Sequence, residues 1–276
     1  MGDVPVARRE GVPGPAAGGV GPGGRARYPR PVAPPVDRPS PAAEPAPTGP
    51  ALAAVVFDFD GTLADTEWPI YERARRAVAG LGADLTPELW GAHAVGVSSG
   101  EPYWHALAPL LGLDIDEAAF EAAREAVADL PPSRDAALIT AGAAELVHAL
   151  HDRGVPVAVA SGSSRGWVEH HLERFGLRDR FDVLVGRDHP SVRAGKPAPD
   201  LYLAAVAELG ADPAEVVAVE DTHRGVQAAL AAGIGAVVAV PNRLTTQHDL
   251  TAAALVAATL ADLDPDVLAG LVPPGR

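Results

Sequence analysis

Two aspartates stand two residues apart in Asp58-Phe59-Asp60-Gly61-Thr62-Leu63, directly behind the apolar run Ala51–Phe57. Such a pair at the end of a buried run can divide the labour of a group transfer. One carboxylate holds a metal ion and attacks an electrophile, and the other exchanges a proton with the leaving group. Gly61 permits the sharp turn that would present both. An Asp-x-Asp-Gly turn without chemistry is equally common, so the pair alone decides nothing.

Three more clusters narrow the choice. Ser161-Gly162-Ser163-Ser164-Arg165 follows the apolar run Val155–Ala160 and opens a helical pattern. A hydroxyl beside free backbone N–H groups at a helix start is suited to phosphate, with Ser161 as the phosphate residue. Ser163 or Ser164 reads as the helix cap. Gly195-Lys196-Pro197 holds the single lysine among 22 basic residues. A proline-flanked loop that uses a compact ammonium in an otherwise all-arginine background points to one charge set against a phosphoryl oxygen. Glu220-Asp221-Thr222 follows Val216–Val219; adjacent acids there are costly unless a cation neutralises them, although Asp221 could also serve as a helix cap.

The elements that must position these clusters follow from the apolar pattern. Short β-branched runs at Ala51–Phe57, Val155–Ala160, Phe181–Val185, Glu215–Val219 and Ala236–Val240 alternate with helical stretches near 142–153, 164–175, 198–209 and 223–232. That alternation predicts an α/β fold, a doubly wound parallel sheet with a Rossmann-like core. Ligands bind such sheets beyond the carboxyl ends of the strands. Three of the four clusters fall at strand ends, and the fourth lies in a loop following the third strand. Residues 66–134 interrupt the alternation with amphipathic helical patterns near 67–81, 100–111 and 116–129 and no strand pattern. They are expected to form an inserted all-helical cap domain, with 51–65 and 135–276 as the core.

Composition sets outer limits. Residues 1–50 are rich in Pro, Gly and Ala and are expected to be a disordered tail. The net charge of −14 argues against an electrostatic grip on nucleic acid or on an anionic membrane. With no cysteine there is no disulfide framework, thiolate metal site or cysteine nucleophile. No apolar run approaches the roughly 18 residues of a membrane span, and a cytoplasmic location is the expectation.

Taken in order, the clusters resemble the haloacid dehalogenase-like hydrolase superfamily, in its branch with a helical cap and β-phosphoglucomutase-like and phosphoglycolate phosphatase-like members. The resemblance spans about residues 52–265. It rests on Asp58–Thr62, Asp65-Thr66-Glu67, Ala160-Ser161, Gly195-Lys196-Pro197-Ala198-Pro199-Asp200 and Val219-Glu220-Asp221-Thr222, with Gly225 and Ala231-Ala232-Gly233 following. It implies a magnesium-dependent phosphatase acting on a small phosphorylated metabolite through an aspartyl-phosphate intermediate. Asp58 would be nucleophile and metal ligand. Asp60 would be the general acid/base and lend its backbone carbonyl to Mg2+. Thr62, Ser161, Gly162 and Lys196 would bind phosphate, and Glu220 and Asp221 would complete the metal site. Glu67 and Arg165 are candidate substrate contacts.

Within that family other reactions fit less well. Asp60 speaks against dehalogenation, and a cap without lysine cannot form the Schiff base of phosphonoacetaldehyde hydrolases. The hexose-phosphate mutase alternative expects a cap-hinge histidine and a cap arginine, whereas the matching positions are Ile70 and a residue near Ser99. From a different class, a non-catalytic binding module remains as the remote alternative. The helical histidines, His93, His105, His148, His151, His170 and His171, read as packed or solvated. Trp68, Tyr103 and Trp104 are cap-side candidates for substrate contact, with packing the more common use.

Overall fold

The computed structural model describes residues 52–96 and 103–273 of the chain. The 1–50 tail and the position near Ser99 lie outside the described residues.

Strand β1 (Ala54–Phe57) is followed by a sharp loop and the short strand β2 (Ala64–Asp65). Five helices come next: α1 (Glu67–Gly80), α2 (Pro87–His93), α3 (Tyr103–Leu110), α4 (Glu117–Glu125) and the single turn α5 (Ser133–Ala136). The chain returns through β3 (Leu138–Ile139), which pairs antiparallel with β2, Ala64 opposite Ile139. From there strands and helices alternate: α6 (Ala143–Asp152), β4 (Val157–Ala160), α7 (Arg165–Arg174), β5 (Val183–Val185), α8 (Asp200–Leu209), β6 (Val216–Glu220), α9 (His223–Ala231), β7 (Ala236–Ala239), β8 (Leu255–Val256) and α10 (Pro265–Leu271).

Six strands form one sheet in the order β5-β4-β1-β6-β7-β8, every pairing parallel. Every residue of β1, β4 and β6 is buried, as strands covered on both faces require. Val55, Phe57, Val157, Val159, Val217 and Val219 point to one face and pack with α6, α7 and α10. Ala54, Val56, Ala158, Ala160, Val216 and Ala218 point to the other and pack with α8 and α9. After β5 the chain crosses to the opposite side of β1 to lay down β6. The sheet therefore reverses its strand order at β1, the place where such folds open a crevice for ligands.

The helices α1–α4 have their own apolar centre of Tyr71, Trp90, Trp104 and Phe120, which Leu244 from the loop after β7 joins. Trp104 and Phe120 stack with ring centroids 3.8 Å apart, and the Trp104 indole donates to the Ile115 carbonyl at 3.0 Å. Gly91 is required where α2 meets that loop: a Cβ there would fall 1.9 Å from the Leu244 carbonyl oxygen.

Each of the five predicted strands is present; β1 starts three residues inside its predicted start, and every other end shifts by at most two. Four features carried too little pattern to read: the two-residue β2–β3 ribbon, the seven-residue α2, the edge strand β8 and α10. β8 lies in the alanine-rich run 252–258, whose composition favours helix. Its backbone is recruited instead by β7, with Ala254 N donating to the Val237 carbonyl and Ala257 N to that of Ala239.

Candidate active site

The loop after β1 is shaped by a position that only glycine can fill. Gly61 has φ +91°, and a Cβ on it would lie 2.4 Å from Asp221 Oδ2. Its carbonyl accepts from Asn242 Nδ2 at 3.1 Å, and the same amide donates to Asp221 Oδ2 at 2.7 Å. Asn242 thus ties the loop after β1 to the loop after β6 from a position beyond β7. It stands outside every motif in the sequence, so nothing there marks it.

Asp58 emerges at the end of β1, its backbone N–H donating to the Val219 carbonyl of β6 at 2.9 Å. Its carboxylate is paired with the Lys196 ammonium, which also reaches Glu220 Oε1 at 2.5 Å. Lys196 lies over the Tyr202 ring, 5.3 Å from its centroid, and the Tyr202 hydroxyl donates to the same Glu220 oxygen at 2.8 Å. Asp200 fixes the loop that carries the lysine by accepting from the N–H groups of Arg193 and Ala194 at 2.7 and 3.0 Å. The Arg224 guanidinium holds the Lys196 carbonyl at 2.8 and 3.0 Å. The only lysine of the chain is therefore a bridge between two carboxylates.

The acidic pair is fully buried. Thr222, not Asp221, caps α9 by accepting from Gly225 N at 3.1 Å. Asp221 is left facing Asp58, Asn242 and Thr62. Burial pushes the Asp58 carboxyl up to about 7; Lys196 pulls against this, while Glu220 and Asp60 add to it. Asp221 is raised well above the usual carboxylate range by burial, with Asp58 and Glu220 adding to the effect. For Lys196, burial favours the neutral amine, yet Asp58 and Glu220 hold its ammonium above the ordinary lysine range. One carboxylate oxygen each from Asp58, Glu220 and Asp221 lie within 4.8 Å of one another. Three buried carboxylates against one ammonium leave an excess of negative charge on an all-oxygen donor set, which fits a hard divalent cation.

Asp60 is held differently. Its Oδ1 accepts from the Thr66 hydroxyl at 2.8 Å and the Trp167 indole N–H at 2.9 Å, and its Oδ2 accepts from the Ser161 hydroxyl at 3.1 Å. Thr66 stands at the N-cap position of α1 without capping it, because its hydroxyl is committed to Asp60. Ser164 caps α7, as the spacing suggested.

A cavity of about 970 Å³ opens between this sheet edge and the helices. Asp58, Asp60, Lys196 and Asp221 form part of its wall, with Gly162 and Ser163 beside them and Glu67, Ile70 and Trp90 from the helices opposite. Glu67 is half-buried, and its carboxyl rises to about 8 through burial and then the charges of Asp60, Asp58 and Asp65. Ser161 is fully buried behind Asp60, and Thr62 is buried with its hydroxyl 3.4 Å from Asp221 Oδ1, so neither borders the cavity. Arg165, expected as a substrate contact, is exposed at the start of α7 and is not part of the wall; its backbone N–H donates to Asp188. Arg187 and Arg193 from the loop after β5 line the cavity instead, with Arg124 and His105 from the helices. These four were missed because they are scattered singly along loops and helices. Trp68 packs on Tyr71 under the Arg243 guanidinium, away from the wall, and His223 bonds the Asp249 carbonyl rather than the acidic pair.

A parallel sheet whose central strand ends in a lysine-bridged carboxylate, with buried acids on the next strand, defines a phosphoryl-transfer type of site. Sequence comparison agrees: residues 52–233 match the haloacid dehalogenase-like hydrolase family, and the chain belongs to it. The chain is 35% identical to the fructose-1-phosphate phosphatase YqaB of Escherichia coli over 191 residues, 67% of this chain and 95% of that protein. It is 32% identical to hexitol phosphatase B of the same species, over 68% of this chain and 83% of that one. A haloacid dehalogenase family hydrolase from Deinococcus radiodurans, crystallised with phosphate and sodium, superposes with a TM-score of 0.65 at 28% identity, covering 82% of this chain and all of that one. Among the described residues no helix is long and apolar enough to cross a membrane.

Proposed function

We propose that this protein is a magnesium-dependent phosphatase that hydrolyses a small phosphorylated sugar or polyol, with residues 66–134 acting as a cap over the site. The observation that carries the reading is the Lys196 ammonium bridging Asp58 and Glu220 on the wall of the cavity. A carboxylate and a phosphate monoester repel each other, and fixed positive charge at their meeting point is what this reaction needs. Asp58, Glu220 and Asp221, with the Asp60 backbone carbonyl, would hold Mg2+. The ion would screen that repulsion and stabilise charge on the transferring group.

A carboxylate oxygen of Asp58 attacks phosphorus, the ester P–O bond breaks, and Asp60 gives its proton to the departing alkoxide. Water then attacks the aspartyl phosphate, Asp60 takes a proton from it, and inorganic phosphate leaves with Asp58 restored. Lys196 would hold a phosphoryl oxygen, with the backbone at Gly162 beside it; Ser161, buried behind Asp60 and donating to it, would act on the site through that carboxylate.

Ile70 favours hydrolysis over the mutase alternative. It puts an apolar side chain on the cavity wall where mutase-like members carry the hinge histidine. The reaction class of the relatives supports a sugar or polyol ester, and the mixed acidic and basic wall suits a hydroxyl-rich substrate better than an apolar one. Phosphate release from a panel of sugar, polyol and nucleoside monophosphates with Mg2+ tests the reading. No release from any of them, with an intact fold, would leave the binding-module alternative standing.

A further inference from the structure

Asp60 carries three hydrogen-bond donors, and their distribution between its two oxygens is uneven. Thr66 and Trp167 both donate to Oδ1, and only Ser161 donates to Oδ2. An ionised carboxylate offers about two acceptor positions per oxygen. Oδ1 is therefore filled, and Oδ2 keeps one position open.

The Trp167 donor is itself held firmly. Its ring lies against His171, with centroids 4.4 Å apart. His171 is fully buried, and its ring nitrogens stand 2.9 Å from the Trp167 carbonyl and 3.1 Å from the Arg134 carbonyl. The indole is thereby braced on its own helix by a ring that is in turn tied to α5 through the Arg134 carbonyl. Trp167 is not on the cavity wall, so it can act on the substrate only through Asp60.

We propose that Trp167 is a positioning residue for the reaction: its indole N–H, together with the Thr66 hydroxyl, pins Oδ1 of Asp60 so that Oδ2 is the atom that delivers the proton. A carboxyl group acting as acid must present one oxygen to the leaving group at hydrogen-bond distance, and rotation about Cβ–Cγ would otherwise exchange the two. The geometry fixes which one. This rests on the reading of Asp60 as the general acid, and the experiment separates the two.

Trp167→Phe keeps an aromatic ring against His171 and removes the donor. The readout is kcat/KM, which for this scheme stops at the transfer to Asp58, compared on two esters. One is p-nitrophenyl phosphate, whose leaving group departs without a proton. The other is the sugar phosphate with the highest kcat/KM in the release panel, whose alkoxide needs one. The variant is expected to lose about tenfold on the sugar phosphate, part of the 10²–10⁴-fold that acid catalysis supplies, and to stay within about twofold on the aryl ester. Equal losses on both esters, or none on either, overturn the proposal. Asp60→Asn should show the same split more strongly. If it does and Trp167→Phe does not, only the role of Trp167 falls; if Asp60→Asn leaves both esters unaffected, the acid assignment falls as well. Should the phenylalanine variant fail to fold, Thr66→Val removes the other Oδ1 donor with little change of volume, and the same split is expected.

Discussion

Gly225 lies so close beneath Glu220 that a Cβ added to it would fall 1.9 Å from the carboxylate carbon and 2.0 Å from both oxygens. Glycine inside the first turn of α9 costs the helix about 1 kcal/mol relative to alanine. Gly225→Ala should nevertheless fail to raise the melting temperature, because the methyl group displaces a fully buried acid. With the partner of Lys196 moved, kcat should drop by about 10²-fold, the usual scale for a misplacement of about 1 Å. Steady-state kinetics beside a thermal melt check this, and a more stable, fully active variant would contradict it.

Asp58→Asn replaces a nucleophilic carboxylate with an amide of the same shape. Turnover should fall by at least about 10³-fold, as it does when a covalent nucleophile is removed. The fold, followed by circular dichroism, should persist, since relieving the crowding of acids near Asp221 offsets the lost pairing with Lys196. Retention of about a tenth of the activity would take Asp58 out of the nucleophilic role.

Lys196→Arg keeps the charge and changes its shape. The ammonium fits between Asp58 and Glu220 over the Tyr202 ring, where a planar guanidinium geared to bidentate pairing does not. A loss in kcat/KM on the order of 10²-fold is expected, comparable to removing a transition-state donor. Wild-type behaviour would mean that any cation suffices at that position.

Magnesium should stabilise the protein as well as activate it. An ion that binds only the folded state adds about 2.7 kcal/mol at a hundred times its Kd. Melting temperature should rise with added Mg2+, fall back in EDTA, and respond little to Mg2+ in Asp221→Asn. Activity that survives thorough chelation would speak against the acidic cluster as the metal site.

Glu67 gives a pH test with a definite sign. Its carboxyl ordinarily titrates near 4.5 and in the folded chain at about 8. Between those values the folded state binds more protons than the unfolded one, so this group's contribution to stability falls as pH rises through the window. Glu67→Gln removes the titration. In EDTA, the melting temperature of the variant relative to the wild type should be higher at about pH 9 than at about pH 5. A difference that stays constant with pH would show that Glu67 ionises freely.

Much of this was legible in the sequence because the active edge is built from local grammar. Three of the five β-branched runs end in a residue that the proposed chemistry uses, which put Asp58, Ser161 and Glu220 at strand ends from the sequence alone. The readable features share a cause: a strand buried on both faces has to be continuously apolar, and its first polar residue stands out. Asn242, Trp167 and Tyr202 were invisible for the complementary reason. Their effect comes from side chains meeting across the sheet, and no spacing along the chain encodes that. Arg165 shows the reverse error, since nearness in sequence to Ser161 did not put its side chain in the cavity.

The ribbon of β2 and β3 brings residues 64 and 139 side by side. To the sheet, everything between them is one surface excursion whose two ends are already hydrogen-bonded together. Closing such an excursion costs little more when it grows, because the penalty rises only with the logarithm of its length. Added length between those two residues therefore costs the sheet little, with α2 still keyed to the loop after β7 through Gly91 and Leu244. The proposed cap is thus a detour that leaves and returns at one hydrogen-bonded ribbon, and a graft joined at Asp65 and Leu138 would exchange it without cutting a strand of the six-stranded sheet.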